Sequence, residues 1–229
     1  MYHSVGDRTE DPYHVTVTPD RLAAQFDRLR RRGLRGVSLA ELLAARARGR
    51  GRGLVGLTFD DGYADFLDHA LPVLRHHGFN ATLFVLPGCF GGDNAWDPLG
   101  PRKPLLTVDG VRRAAAEGVE IGSHGLTHLD LTRADDLTLK SETAESGALL
   151  ARLTGTPVGG FCYPYGTIDA RVVAAVREAG YDYGCAIDPG PLAARHALPR
   201  VHIGQHDTAV RLLLKQRLHR LRRRPAAGV

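Results

Sequence analysis

Two carboxylates stand side by side at Asp60 and Asp61, at the end of an apolar run from Leu54 to Leu57 that reads as a buried strand. Adjacent negative charges in such a place are costly unless a bound cation or a shared proton relieves them. Downstream, His124 and His128 are spaced i, i+4 just after another apolar stretch, Val119 to Ile121. If that segment turns helically, both imidazoles converge on one ion. One carboxylate and two imidazoles would give three protein ligands and leave positions open, the pattern of a catalytic rather than a structural metal site. Each fragment alone could be a helix cap or a pair of surface imidazoles. Their combination points to chemistry. A carboxylate that ligates a cation makes a poor base, whereas its unligated neighbour can still take a proton.

Such residues need a scaffold, and strand and helix patterns alternate along the chain. Thr18 can cap a helix with Pro19 at its first position and Leu22, Phe26 and Leu29 on one face. Leu54 to Phe59 reads as a strand. Ala64 to His77 reads as a helix interrupted near Pro72, and Ala81 to Leu86 as a strand. Thr107 caps a helix over Val108 to Glu117, followed by a strand over Val119 to Ser123. Ala134 to Leu153 reads as one long helix. Val158 to Tyr163 reads as a strand, Ile168 to Ala179 as a helix closed by Gly180, and Tyr181 to Ile187 and Val201 to Ile203 as strands. Thr208 to Leu221 is a final amphipathic helix. Repeated strand–helix units imply an α/β fold with a parallel sheet. The acidic pair and the histidine pair both fall at carboxyl ends of strands, where barrels and open α/β sheets place their sites. Pro87 to Pro104 is a long loop, of the kind that is functional or disordered in a compact domain.

Four segments carry a family resemblance. Thr58-Phe59-Asp60-Asp61-Gly62 resembles the first motif of the polysaccharide deacetylases, the NodB-like carbohydrate esterases. Ser123 to His128 resembles their second motif, Phe161 to Gly166 the third, and Leu198 to Ile203 the last. All four occur in the family's order and span nearly the whole chain. The resemblance implies a distorted (β/α) barrel with an incomplete set of strands, with residues 1–214 as the catalytic domain and 215–229 as a basic helix end and tail. It implies Asp61, His124 and His128 as metal ligands, Asp60 as general base and His202 as the acid that protonates the leaving amine. The backbone amide of Tyr165 would help hold the oxyanion. His3 is a candidate to line the site, and Trp96 to stack on a sugar or close over it, beside a plain packing role. Two departures stand out. Many members have an Arg two residues before the Pro of the third motif, paired with the base; here that position is Cys162. An acidic residue close to Trp is also missing, with Asp188 as a candidate substitute.

The implied activity is metal-dependent hydrolysis of N-acetyl groups on an amino-sugar glycan or smaller glycoside. Zinc is the first choice of metal, and cobalt, nickel or iron would suit the same donors. Alternatives are hydrolysis of an imide or ureide C–N bond by the same site, or a catalytically silent carbohydrate-binding domain.

Composition agrees. The chain has 229 residues, 43% hydrophobic and 24% charged, and a net charge of +5 concentrated in arginine-rich stretches. Those stretches lack interleaved aromatics, which argues against nucleic acid as partner. No apolar run is long enough to span a bilayer. The three cysteines are scattered and suggest no disulfide framework. No secretory pattern opens the sequence, which favours a cytoplasmic setting unless residues precede Met1.

Overall fold

A computed structural model describes residues 1–208, 210–212, 214 and 215. Its centre is a six-stranded sheet in the order β10-β9-β8-β7-β6-β5, and every neighbouring pair is parallel. The strands are β5 (Thr58–Phe59), β6 (Thr82–Val85), β7 (Glu120–Ser123), β8 (Gly160–Cys162), β9 (Tyr183–Ala186) and β10 (Leu198–Pro199). Tyr2 extends the sheet beyond β5 through a parallel bridge to Phe59. The stretch after β10 returns to the same place, because the amide of Ile203 donates to the carbonyl of Met1 at 3.0 Å. The sheet is thus curled toward closure, as expected of a distorted, incomplete (β/α) barrel.

Two small parallel pairs flank it: β1 (Ser4–Val5) with β2 (Thr16–Val17), and β3 (Arg35–Val37) with β4 (Leu54–Gly56). The single strand expected over Leu54 to Phe59 is therefore two. At Leu57 the chain changes partners, its amide bonding Val37 and its carbonyl accepting from Thr82. This step turns Asp60 and Asp61 toward the barrel mouth. The strand expected at Val201 to Ile203 is not formed as such; the ladder ends at Leu198–Pro199, and the following residues bond to the N-terminal segment instead.

Helices cover the outside. In α1 (Pro19–Arg31) the Thr18 hydroxyl caps Arg21, and Leu22 and Phe26 are fully buried one turn apart. Burying such side chains contributes about 1.5–3 kcal/mol each. The helix α2 (Leu39–Ala47) follows β3. A π-helical turn at Phe66–Ala70 runs into α3 (Leu71–His77). The irregularity thus precedes Pro72, which sits at the start of α3 where no backbone N–H is needed. Next come α4 (Val108–Ala116), then α5 (Asp136–Lys140) and α6 (Ser146–Thr154) joined by a π-helical stretch at Ser141–Glu145, and α7 (Ala170–Glu178). The expected long helix is real but widened in the middle. Of the expected final helix, the described residues from Val210 to Lys215 are helical, and the part beyond Lys215 lies outside the described residues. Among the described residues no helix is long and apolar enough to cross a membrane.

Candidate active site

Asp60 and Asp61 follow β5 directly, and both are buried. Asp61 adopts φ 71°, a left-handed conformation that non-glycine residues seldom take. That turn points its carboxylate at the loop after β7. There, Oδ1 of Asp61 lies 3.2 Å from Nε2 of His124 and 3.4 Å from Nε2 of His128. The two histidines do not share a helical turn. They converge because Gly125 (φ 83°) and His128 (φ 63°) both take left-handed backbone in a tight loop. Tyr165, at φ 58°, is a third non-glycine residue in this conformation at the same site. Such residues cost on the order of 1–3 kcal/mol each and persist where their surroundings hold them.

The donor set fits a cation. Nδ1 of His124 donates to the carbonyl of Cys162 at 2.8 Å, so in the neutral ring Nε2 presents a lone pair. Asp61 Oδ1 is buried without a hydrogen-bond partner. Lone pairs facing one another in a buried place need a positive centre between them. A second cluster of potential ligands, Asp60, His124 and Cys162, is already served by a cation of the protein itself. Arg200 donates to Oδ1 of Asp60 at 2.7 Å, and its other terminal nitrogen lies 2.9 Å from Sγ of Cys162. Of the two clusters, Asp61, His124 and His128 is the one with no cation of the protein on it, and so the better candidate to hold an ion.

Arg200 is the functional residue that sequence reasoning passed over. It lies one position past β10, stacks near the face of Phe84 and is buried. It takes the place of the arginine missing at Cys162, whose small side chain leaves room for it. Burial would push Asp60 up, but Arg200's charge foremost, helped by His3, brings it down to about 2. With Oδ1 held by Arg200, Oδ2 of Asp60 faces Nε2 of His3 at 3.9 Å.

A cavity of about 200 Å³ is lined by Asp60, Asp61, His124, His128, His3 and Arg200, with Trp96, Asp97 and Tyr165 among its other walls. Trp96 stacks flat on His128, ring centres 4.4 Å apart at 16°, and Tyr165 meets the same ring edge-on at 4.5 Å. Both thus bear on a metal-ligand candidate as well as on the cavity. The loop carrying Trp96 is pinned. Lys103 donates to the hydroxyls of Ser4 and Thr16, and Asn94 accepts from the amide of Lys103 at 2.7 Å. His202 lines a neighbouring cavity of about 150 Å³, its ring 5.7 Å from that of His3. Burial first, then the charge of His3, depress His202 to about 4. Asp188 is exposed and is not among the residues lining the catalytic cavity. A larger hollow, about 680 Å³, lies at the opposite ends of β7 to β9 and holds no such cluster among the described residues.

Residues 47–184, more than half of the chain, match the polysaccharide deacetylase family. The chain belongs to the polysaccharide deacetylase family. It is 30% identical over 150 residues to YxkH of Bacillus subtilis strain 168, a protein named for that activity, covering 64% of this chain and 50% of the relative. It is 33% identical over 125 residues to a chitooligosaccharide deacetylase of Rhizobium leguminosarum bv. trifolii, covering 54% and 52%. The chain thus spans about half the length of these relatives. Its fold is that of the Streptococcus pyogenes deacetylase PplD, solved with acetate, with a TM-score of 0.80 at 22% identity over 94% of this chain and 95% of the other.

Proposed function

We propose that this chain is a divalent-metal-dependent hydrolase that removes N-acetyl groups from an amino-sugar substrate. The observation that carries the reading is the convergence of Asp61 Oδ1, His124 Nε2 and His128 Nε2 beside Asp60, whose Oδ1 is held by Arg200 and whose Oδ2 accepts, among the described residues, only the weak thiol bond of Cys162 at 3.6 Å. Zinc is the first choice of ion, and cobalt, nickel or iron also suit two nitrogens and one oxygen. When bound, such an ion supplies Lewis-acid polarisation of the acetyl carbonyl and makes water at the site more acidic.

The chain's own residues supply the rest. Asp60, kept ionised by Arg200, takes the proton of the attacking water on Oδ2. The backbone amide of Tyr165 donates to the developing oxyanion, in a turn whose left-handed φ sets its direction. The amine then needs a proton to leave. The His3–His202 pair fills that role, with His3 at the cavity and His202 behind it. Burial keeps His3 less basic than an ordinary imidazole, and with its Nε2 3.9 Å from Oδ2 of Asp60 it takes up the proton there and passes it on. Acetate and the free amine are the products. The relative named for chitooligosaccharide deacetylation supports an N-acetylated glycan or smaller glycoside as substrate.

Acetate release from a panel of N-acetylated glycans and small glycosides, by the wild type and by Asp60→Asn, tests the proposal. Turnover by the wild type and its loss in a variant that still binds metal is the expected result. Glycan binding without acetate from any substrate would favour a silent binding domain instead.

A further inference from the structure

Glu142 is buried, 3% exposed, and no cation pairs with it among the described residues. A carboxylate in such a place must be held by donors. Its donors are all on the loop between His124 and His128. The amides of Leu126 and Thr127 donate to Oε2 at 2.6 and 3.2 Å, and the hydroxyl of Thr127 donates to Oε1 at 2.5 Å. Glu142 also closes over Gly125, where a Cβ would stand only 2.8 Å from Oε2.

Its placement comes from the π-helical stretch at Ser141–Glu145. One such turn adds a residue to the helical register and re-aims the side chains around it. Here it directs Glu142 and Ser146 to the same loop. Ser146 bonds Ser123, the last residue of β7, at 2.8 Å, and Ser123 Oγ accepts from the amide of Gly125. Side chains bond to carbonyls of the widened region: Thr143 donates to Leu139, and Ser146 to the carbonyl of Glu142.

We propose that Glu142 is a positioning residue that fixes the His124–His128 loop in its ion-holding shape, acting through three hydrogen bonds rather than through its charge. It belongs to neither candidate ligand cluster and is not among the residues lining the catalytic cavity. The inference rests on the metal-site reading above. Glu142 adds to the bonds that hold Leu126 and Gly125 from Gly88 and Ser123, and it bears on a loop whose His128 has no hydrogen-bond partner at Nδ1. Bracing groups of this kind typically alter metal affinity by about 10–100-fold when removed.

The test is zinc affinity of the apo protein, by competition with a chromophoric chelator, alongside its thermal melting. Glu142→Ala should weaken zinc binding by about 10–100-fold in protein that remains folded. Glu142→Gln should stay near wild type, because its amide oxygen can accept from both backbone amides while its NH₂ donates to the Thr127 hydroxyl. If Glu142→Ala does not fold, Thr127→Val, which removes one of the three bonds, should show an intermediate loss. Wild-type zinc affinity in Glu142→Ala, or in Thr127→Val where that variant stands in for it, overturns the proposal. So does an equal loss in Glu142→Gln and Glu142→Ala, which would make the charge decisive. A wild type that binds no zinc overturns the metal reading as well, so the two failures are distinguishable.

Discussion

Arg200 reaches across 140 positions of sequence to bond Asp60, and both side chains are buried. Removing one partner of such a pair leaves the other charge uncompensated, at a cost of about 3–5 kcal/mol. Arg200→Met should therefore lower the melting temperature clearly and abolish most turnover. Adding Asp60→Asn to that variant should recover part of the stability but none of the activity. Strictly additive losses in the double-variant cycle would mean the pair does not act as a unit.

Asp61, His124 and His128 leave no spare ligand. Asp61→Asn, His124→Ala and His128→Ala should each lose stoichiometric metal, measured by mass spectrometry of the purified protein, and nearly all acetate release. A strong chelator should do the same to the wild type, and zinc should restore it. Full metal content in all three variants would move the ion elsewhere.

The donor pair can be divided by leaving group. His3→Ala should cut hydrolysis of an N-acetyl substrate by about 10²–10⁴-fold with metal retained, and His202→Ala by less. An O-acetyl ester, whose alkoxide leaves more readily, should suffer less from either change. Equal losses on ester and amide would remove the proton-donor role. A larger loss at His202 than at His3 would return that role to His202, as the motif alone suggests.

His3 and His202 are both less basic in the fold than an ordinary imidazole, His202 at about 4 against 6.5. The unfolded chain therefore takes up protons first as the pH falls. The contribution of these two imidazoles to stability should be full above pH 6.5 and decline progressively toward pH 4. Thermal melts across that range check it. His202→Gln should flatten the decline, and an unaltered slope would exclude His202 as its source.

The four residues at the heart of the site were legible in the sequence because each pair is local, two side chains within five positions at a strand end. The manner of convergence was not. The i, i+4 spacing of the histidines suggests a helix, yet a loop with left-handed backbone does the work. Arg200 stood in plain view within Leu198 to Ile203, but its partner depends on which strands lie side by side, and pairing order leaves no local trace. An arginine two residues before His202, together with the arginine absent at Cys162, was the one available hint. The division of Leu54 to Phe59 at Leu57 and the π-helical widening at Ser141–Glu145 were hidden for the same reason. Tertiary partners set them, not the propensities of the residues involved.

The contact that joins Met1 and Ile203 also divides the site along the sequence. The ion-holding residues come from one continuous stretch, Asp61 to His128, whose strands neighbour one another in the sheet. Arg200 and His202 come from the far end of the chain and His3 from its start, and they reach the cavity only when those two ends meet. On the proposed reading, holding the ion and driving turnover thus fall to groups far apart in sequence, and the second group is brought to the cavity by the contact between Ile203 and Met1.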